Sequence, residues 1–223
     1  MKLKGQMSRT LIGISFLALD ISLFLYMGAP IQSGRLGSRS VIASFASLPE
    51  SFTENDNPRH LNSVYIEDSL MFPVVQQPDG DMNYVSKHNG ELTQFSAASQ
   101  YGNIGLLAHN YLSGKSFSKF VIGQQIRLEY QDGTIEYFIV SQILRYQALE
   151  PRNPFSSFRN LNKTDEILSS GEMFQRVYEG GRHLTFQTCI AEDGISSWGR
   201  LFVMATPSPG MTSVASQGMQ IQP

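Results

Sequence analysis

A single cysteine, Cys189, sets the chemistry open to this chain. With no second cysteine, an intramolecular disulfide and a cysteine-rich metal site are both impossible. A free thiol is a hazard in an oxidising compartment, although an isolated cysteine is often only a small core residue. A thiol attacks well only as thiolate, so a nucleophilic Cys189 needs a base or a cation beside it. The four histidines are His60, His88, His109 and His183. His183 is closest in sequence, but on one extended strand it would lie ~20 Å from Cys189, at ~3.3 Å per residue. His60 and His88 fall in polar, loop-like stretches and read as solvated. His109 ends the apolar run GLLA, and a residue at the end of a buried strand can project from a rigid scaffold into a cleft. Arg200 opens the apolar run LFVMA, and Cys189 closes the run LTFQT. If those two runs pair as antiparallel strands, Cys189 and Arg200 flank the mouth of the loop between them. A guanidinium there would favour the thiolate and stabilise a carbonyl oxyanion. Without Cys189 opposite, Arg200 would be an ordinary surface arginine.

The elements that must position these residues are short apolar runs separated by turn signals. Ser63–Glu67, Phe72–Gln76, Ile104–Ala108, Ile126–Tyr130, Thr134–Arg145, Leu184–Thr188 and Leu201–Ala205 read as strands. In Ile126–Tyr130, Ile126, Leu128 and Tyr130 alternate with Arg127 and Glu129, the pattern of a half-buried strand. Asp132-Gly133 between two such runs signals a hairpin. Asp165–Val177 reads as a short helix. Short strands with turns between them point to a mostly-β sandwich or barrel.

The 223 residues suit one domain with flanking segments, and a formal net charge of −2 argues against nucleic acid as a partner. Lys2, Lys4 and Arg9 precede an apolar run from Thr10 to Gly28, long enough to cross a ~30 Å hydrocarbon core. Asp20 in that run costs about 3 kcal/mol on insertion, which the surrounding Leu, Ile and Phe offset. The basic residues stay in the cytoplasm, so the chain beyond is expected outside. Residues 1–30 are thus expected as an uncleaved signal-anchor or transmembrane segment, with secretion after signal cleavage as the alternative. Residues 31–58 read as a flexible linker, 59–206 as the folded domain and 207–223 as a disordered tail.

The run Leu184-Thr185-Phe186-Gln187-Thr188-Cys189 resembles the sortase signature T-L-x-T-C, with Phe186 in place of Leu. Arg200 stands at the sortase family's usual separation from the Cys. His109, in LLAHNYLSGKSF, resembles the family's G-H segment, with Ala108 in place of Gly. Pro73–Asp81, PVVQQPDGD, is similar to the early sortase strand and the turn after it. The resemblance spans about residues 60–206. The departures at Ala108 and Phe186 bear on subclass more than on chemistry, because neither carries a reacting group.

The resemblance implies a closed eight-stranded β-barrel with a few short helices, preceded by the N-terminal transmembrane helix. It implies a cysteine transpeptidase with Cys189 as nucleophile, His109 as acid and base, and Arg200 as the cation at the reacting carbonyl. Substrates would be secreted proteins with a C-terminal sorting motif, transferred to an amine of the cell envelope or of a pilin. The catalytic domain would be extracytoplasmic on a single-pass cell-membrane anchor. No cofactor and no metal is expected: Asp132, Glu150, Asp165 and Glu166 are loop acids without calcium-loop spacing. Three alternatives stay open. Water could resolve the thioacyl, making a cysteine hydrolase or peptidase. An L,D-transpeptidase also uses Cys and His, but in an S-x-G-C context unlike Gln187-Thr188-Cys189. A non-catalytic barrel could merely bind peptides.

Overall fold

The computed structural model describes residues 59–67, 70–208 and 213–214. The apolar run Thr10–Gly28 and the linker at 31–58 lie outside the described residues. Among the described residues no helix is long and apolar enough to cross a membrane.

Among the described residues eleven strands form in chain order: β1 (Leu61–Ile66), β2 (Leu70–Gln76), β3 (Leu92–Phe95), β4 (Ile104–Leu107), β5 (Gln125–Tyr130), β6 (Thr134–Ala148), β7 (Phe158–Asn160), β8 (Ile167–Leu168), β9 (Leu184–Glu192), β10 (Ile195–Pro207) and β11 (Ser213–Val214). Among the described residues, two α-helices, α1 (Ser96–Ser99) and α2 (Ser170–Tyr178), and a 3₁₀ helix, Ser113–Lys119, accompany the strands. The hydrogen-bonded order β10-β9-β4-β3-β2-β1-β5-β6 closes on itself through a β10–β6 pairing. The result is a closed eight-stranded, mostly-β barrel, one of the two architectures left open by the strand pattern and the one that the resemblance implies. Pairings β2–β3 and β4–β9 are parallel, and the others around the ring are antiparallel.

Alternation along each strand separates an inner from an outer face. Ile126, Leu128, Phe138, Val140, Leu184, Phe186, Leu201 and Val203 fill the barrel. β6 turns a corner at Ser141: Ala205 pairs with Val140 but Met204 with Gln142. The extra residue flips the alternation, so Ile143 rather than Gln142 packs against the barrel core. The outer faces of β6, β9 and β10 carry a second apolar cluster, with Tyr146, Phe202 and Met204 packed beneath Met173, Phe174 and Val177 of α2.

Three expectations need correction. The helix begins at Ser170, not Asp165. Ile167 and Leu168 are taken up as β8 against β7, and Ser169 then caps α2. Its hydroxyl accepts the Glu172 amide hydrogen bond while Glu172 accepts from the Ser169 amide, a reciprocal box that fixes the start. Secondly, Cys189 lies within a strand rather than at its end. Asp193 (φ 52°) and Gly194 (φ 74°) make a two-residue hairpin turn, so β9 and β10 run on toward it. The irregularity lies between Ile195 and Gly199, where β10 bulges. Thirdly, β3, β7 and β8 carry no clear alternation and were not expected. Within the tail expected to be disordered, Pro207 ends β10 and Ser213–Val214 pair with Ile135 and Thr134 of β6. The Asp132-Gly133 hairpin forms as read, with Gly133 at φ 81°.

Candidate active site

β4 and β9 run parallel with a constant register: Ile104 pairs with Leu184, Gly105 with Thr185, Leu106 with Phe186 and Leu107 with Gln187. The Ala108 amide continues the ladder by donating to the Gln187 carbonyl at 3.2 Å. Carried two residues past Leu107, the same offset sets His109 abreast of Cys189. On the other side of β9, Arg200 is the direct antiparallel partner of Cys189. Cys189 and Arg200 are therefore direct partners on β9 and β10, and His109, in the loop two residues past β4, continues that row on the other side of Cys189. Leu184 and Phe186 belong to the barrel core, whereas Cys189 and Phe202 belong to the outer cluster. The row thus opens on the outer face of the sheet, by the period of two.

All three residues are buried: Cys189 is 4%, His109 6% and Arg200 0% exposed. A fully buried guanidinium demands hydrogen-bond acceptors. Arg200 Nη1 donates to the carbonyls of Ser197 at 3.1 Å and Gly199 at 2.9 Å, and the guanidinium lies 5.8 Å from the centre of the Phe158 ring. The bulge before Gly199 turns these carbonyls toward it. Gly199 itself must lack a side chain, since a Cβ would run into the Tyr146 carbonyl oxygen.

The loop after β4 is pinned to the strand bearing the thiol. Thr188 Oγ1 donates to the Ala108 carbonyl at 2.8 Å. The amides of Leu112 and Gly114 both donate to the His109 carbonyl at 3.0 Å. A Cβ on Gly114 would meet Thr188 Oγ1 and stand 2.7 Å from the His109 carbonyl oxygen and 2.8 Å from that of Ala108. Asn110 Nδ2 reaches across to the Ser196 carbonyl at 3.0 Å. Tyr111, 61% exposed, stacks on the His109 imidazole with ring centres 5.1 Å apart and 25° between planes. Beneath the row, the buried Tyr178 hydroxyl donates to Gln187 Oε1 at 2.7 Å, and burial holds its phenol pKa well above the usual range.

The other histidines lie elsewhere in the fold. His60 is exposed, and His88 is exposed beside Glu91, 3.4 Å away. His183 is buried at the end of α2, its Nε2 2.9 Å from the Val177 carbonyl and its Nδ1 2.7 Å from that of Gly181. Of the loop acids, Glu166 pairs with Arg176, Asp132 lies 3.5 Å from Arg59 and Glu150 accepts from Asn153. No group of three or more metal-ligating side chains stands together among the described residues.

Thr188, Gly114 and Tyr111 were not singled out as functional from sequence. Thr188 sits inside the quoted Cys motif, and Gly114 and Tyr111 inside the quoted His segment, so the signal was adjacent. What was missing was the contact between the two segments.

No family model matches this chain, and no curated protein matches it. Among solved structures, the chain is similar to sortase C1 of Streptococcus agalactiae in complex with MTSET, at 16% identity and a TM-score of 0.43, covering 68% of each chain. It is similar to sortase E1 of Streptomyces coelicolor with a tripeptide in the active site, at 17% identity and a TM-score of 0.43, covering 68% of this chain and 89% of that one. It is also similar to sortase A of Listeria monocytogenes, at 12% identity and a TM-score of 0.41, covering 68% and 88%.

Proposed function

We propose that this chain is a sortase-type cysteine transpeptidase. The single observation that supports the reading is the row itself: the only thiol and a buried guanidinium are direct partners on β9 and β10, and the parallel β4–β9 register leads into the loop that carries the His109 imidazole. In this reading the Cys189 proton resides on His109, and the thiolate attacks the scissile carbonyl of a sorting motif. Arg200 stabilises the oxyanion that develops. The C–N bond breaks, and the leaving amine takes the proton from His109. A thioacyl enzyme remains. An incoming amine then gives a proton to His109 and attacks the thioester; the C–S bond breaks and the thiolate returns. A hydrolase would use the same row with water in place of the amine.

The apolar run Thr10–Gly28 behind Lys2, Lys4 and Arg9 would tether the domain to the cell membrane on the extracytoplasmic side. That placement suits an enzyme whose substrates also arrive through the membrane. The test is mass spectrometry of the protein mixed with a library of sorting-type peptides and a simple amine. A thioacyl adduct on Cys189, with release of the peptide C-terminal fragment, is expected. Peptides left intact under all conditions would defeat the proposal.

A further inference from the structure

Asn110 and Ser196 meet across β9. The loop after β4 lies on one side of that strand and β10 on the other. Glu192 pairs with Ile195 and Ile190 with Gly199, so β10 carries Ser196, Ser197 and Trp198 where β9 carries only Ala191. The hydrogen bond from Asn110 Nδ2 to the Ser196 carbonyl, 3.0 Å long, therefore crosses β9 just beyond Cys189. Each end of it adjoins a member of the row. Asn110 follows His109 directly, and the amides of Leu112 and Gly114 fix the His109 carbonyl within the same loop. Ser196 opens the bulge whose carbonyls at Ser197 and Gly199 accept from Arg200 Nη1. A bulge lacks part of its ladder, so side-chain bonds help decide where its backbone sits.

We propose that Asn110 is a positioning residue of the row: its side chain is a brace that sets the spacing of His109 and Arg200 across Cys189. The inference rests on the transpeptidase reading and adds a residue to its machinery. Asn110 carries neither acid nor nucleophile, and acts through the two side chains that it holds in register. In that reading the imidazole serves the nitrogen of a tetrahedral centre and the guanidinium serves its oxygen. Those two atoms share one carbon, so the loop and the bulge must keep one separation. A misplacement of ~1 Å in such a site can cost on the order of 100-fold in rate. Thr188 ties the loop to β9 through the Ala108 carbonyl, and Asn110 ties it to β10.

Alkylation of the only cysteine tests this without a known substrate, with iodoacetamide as the probe. Its rate on Cys189 is followed against pH in the full chain, for wild type, Asn110→Ala, Arg200→Lys and the double variant. Asn110→Ala is expected to slow alkylation near neutral pH by about threefold or more and to move the profile toward that of a free thiol. The melting temperature should scarcely change, because Asn110 is only half-buried. Asn110→Gln keeps the amide donor and is expected to restore most of the rate. In the Arg200→Lys background Asn110→Ala is expected to cost less than in wild type, because residues that act through one another do not add. Thermal melts check that each variant is folded, and His109→Ala is a second background for the same comparison. An unchanged profile in folded Asn110→Ala, or effects that simply add in both backgrounds, overturns the brace and leaves the transpeptidase reading standing. A wild-type thiol inert to iodoacetamide at every pH overturns that reading, and the brace with it.

Discussion

Cys189 on β9 and Arg200 on β10 face one another as direct antiparallel partners, so both side chains leave the same face of the sheet. The pairing makes the cation part of the sheet, not a mobile surface charge. Replacing it should therefore have two separable effects. Arg200→Ala strips the partner from two buried carbonyls and should destabilise the fold by about 1–3 kcal/mol. Arg200→Lys keeps a charge but loses the planar fork, and should lower peptide transfer by about 100-fold or more. Denaturant melts and single-turnover acylation measured on the same samples distinguish the two.

Gly114 is a packing requirement of the site. Its Cβ position is occupied by Thr188 Oγ1 and two backbone carbonyls, so Gly114→Ala must push the loop bearing His109 off β9. A destabilisation of about 1–3 kcal/mol is expected, with a disproportionate loss of activity. Thr188→Val removes only the hydroxyl bond to Ala108 and should cost about 1 kcal/mol. Thr188→Ala, in combination with Gly114→Ala, should recover part of the loss, because it clears the Oγ1 position that the new Cβ meets. A double-mutant cycle reads that coupling.

Tyr111 positions His109 from the solvent side. Its ring is exposed, so its removal should scarcely move the melting temperature, while the imidazole loses a stacking partner worth about 0.5–1.5 kcal/mol. Tyr111→Ala should slow acylation several-fold and shift the pH dependence of Cys189 alkylation, and Tyr111→Phe should restore both. A Tyr111→Ala variant with the wild-type pH profile would show that the stack is incidental.

Phe186 is the departure from the family signature, and it faces inward. It packs in the barrel on Phe117 and Phe120, with ring centres 5.2 Å and 4.9 Å away. Phe186→Leu should leave a small void and cost about 1–2 kcal/mol of stability. Acylation below the melting transition should stay within about twofold of wild type, since only the outer face carries the row.

The acid limb of the stability curve should depend in part on Glu166. Hydrogen bonds from Asn160, then Arg176, hold its carboxyl below the usual range. A depressed folded-state pKa gives stability that is present above the unfolded value, near 4.3, and is lost as pH falls through the folded one. Melting temperature followed from pH 6 to pH 3 should therefore fall less in Glu166→Gln than in wild type. Because solvent reaches the pair, the difference should be small.

Seven of the eight barrel strands could be read from the sequence, because each carries alternating or continuous apolar runs. β3, Leu92–Phe95, escaped because all four residues are buried and Thr93 and Gln94 are polar, so no period shows. The ends of β9 and β10 escaped because Ala191, Glu192 and Ser196 are exposed beyond the barrel, where hairpin geometry and not burial extends the strand. The row was legible as three residue types in order. Its geometry was not, because the parallel β4–β9 register is set by contacts between segments 80 residues apart. Gly114 illustrates the limit: Thr188 Oγ1 and the Ala108 and His109 carbonyls together fill its Cβ position, and no local pattern shows that crowding.

The central claim is that the row activates Cys189. It is tested most directly by the rate of iodoacetamide alkylation against pH, where the sole cysteine reports without ambiguity. Alkylation near neutral pH should be faster than that of a free thiol, whose ordinary pKa is about 8.5. Removing either neighbour, in a folded His109→Ala or Arg200→Lys variant, should move the profile toward that of the free thiol. A wild-type profile that tracks an ordinary buried thiol, unmoved by either substitution, would contradict the account.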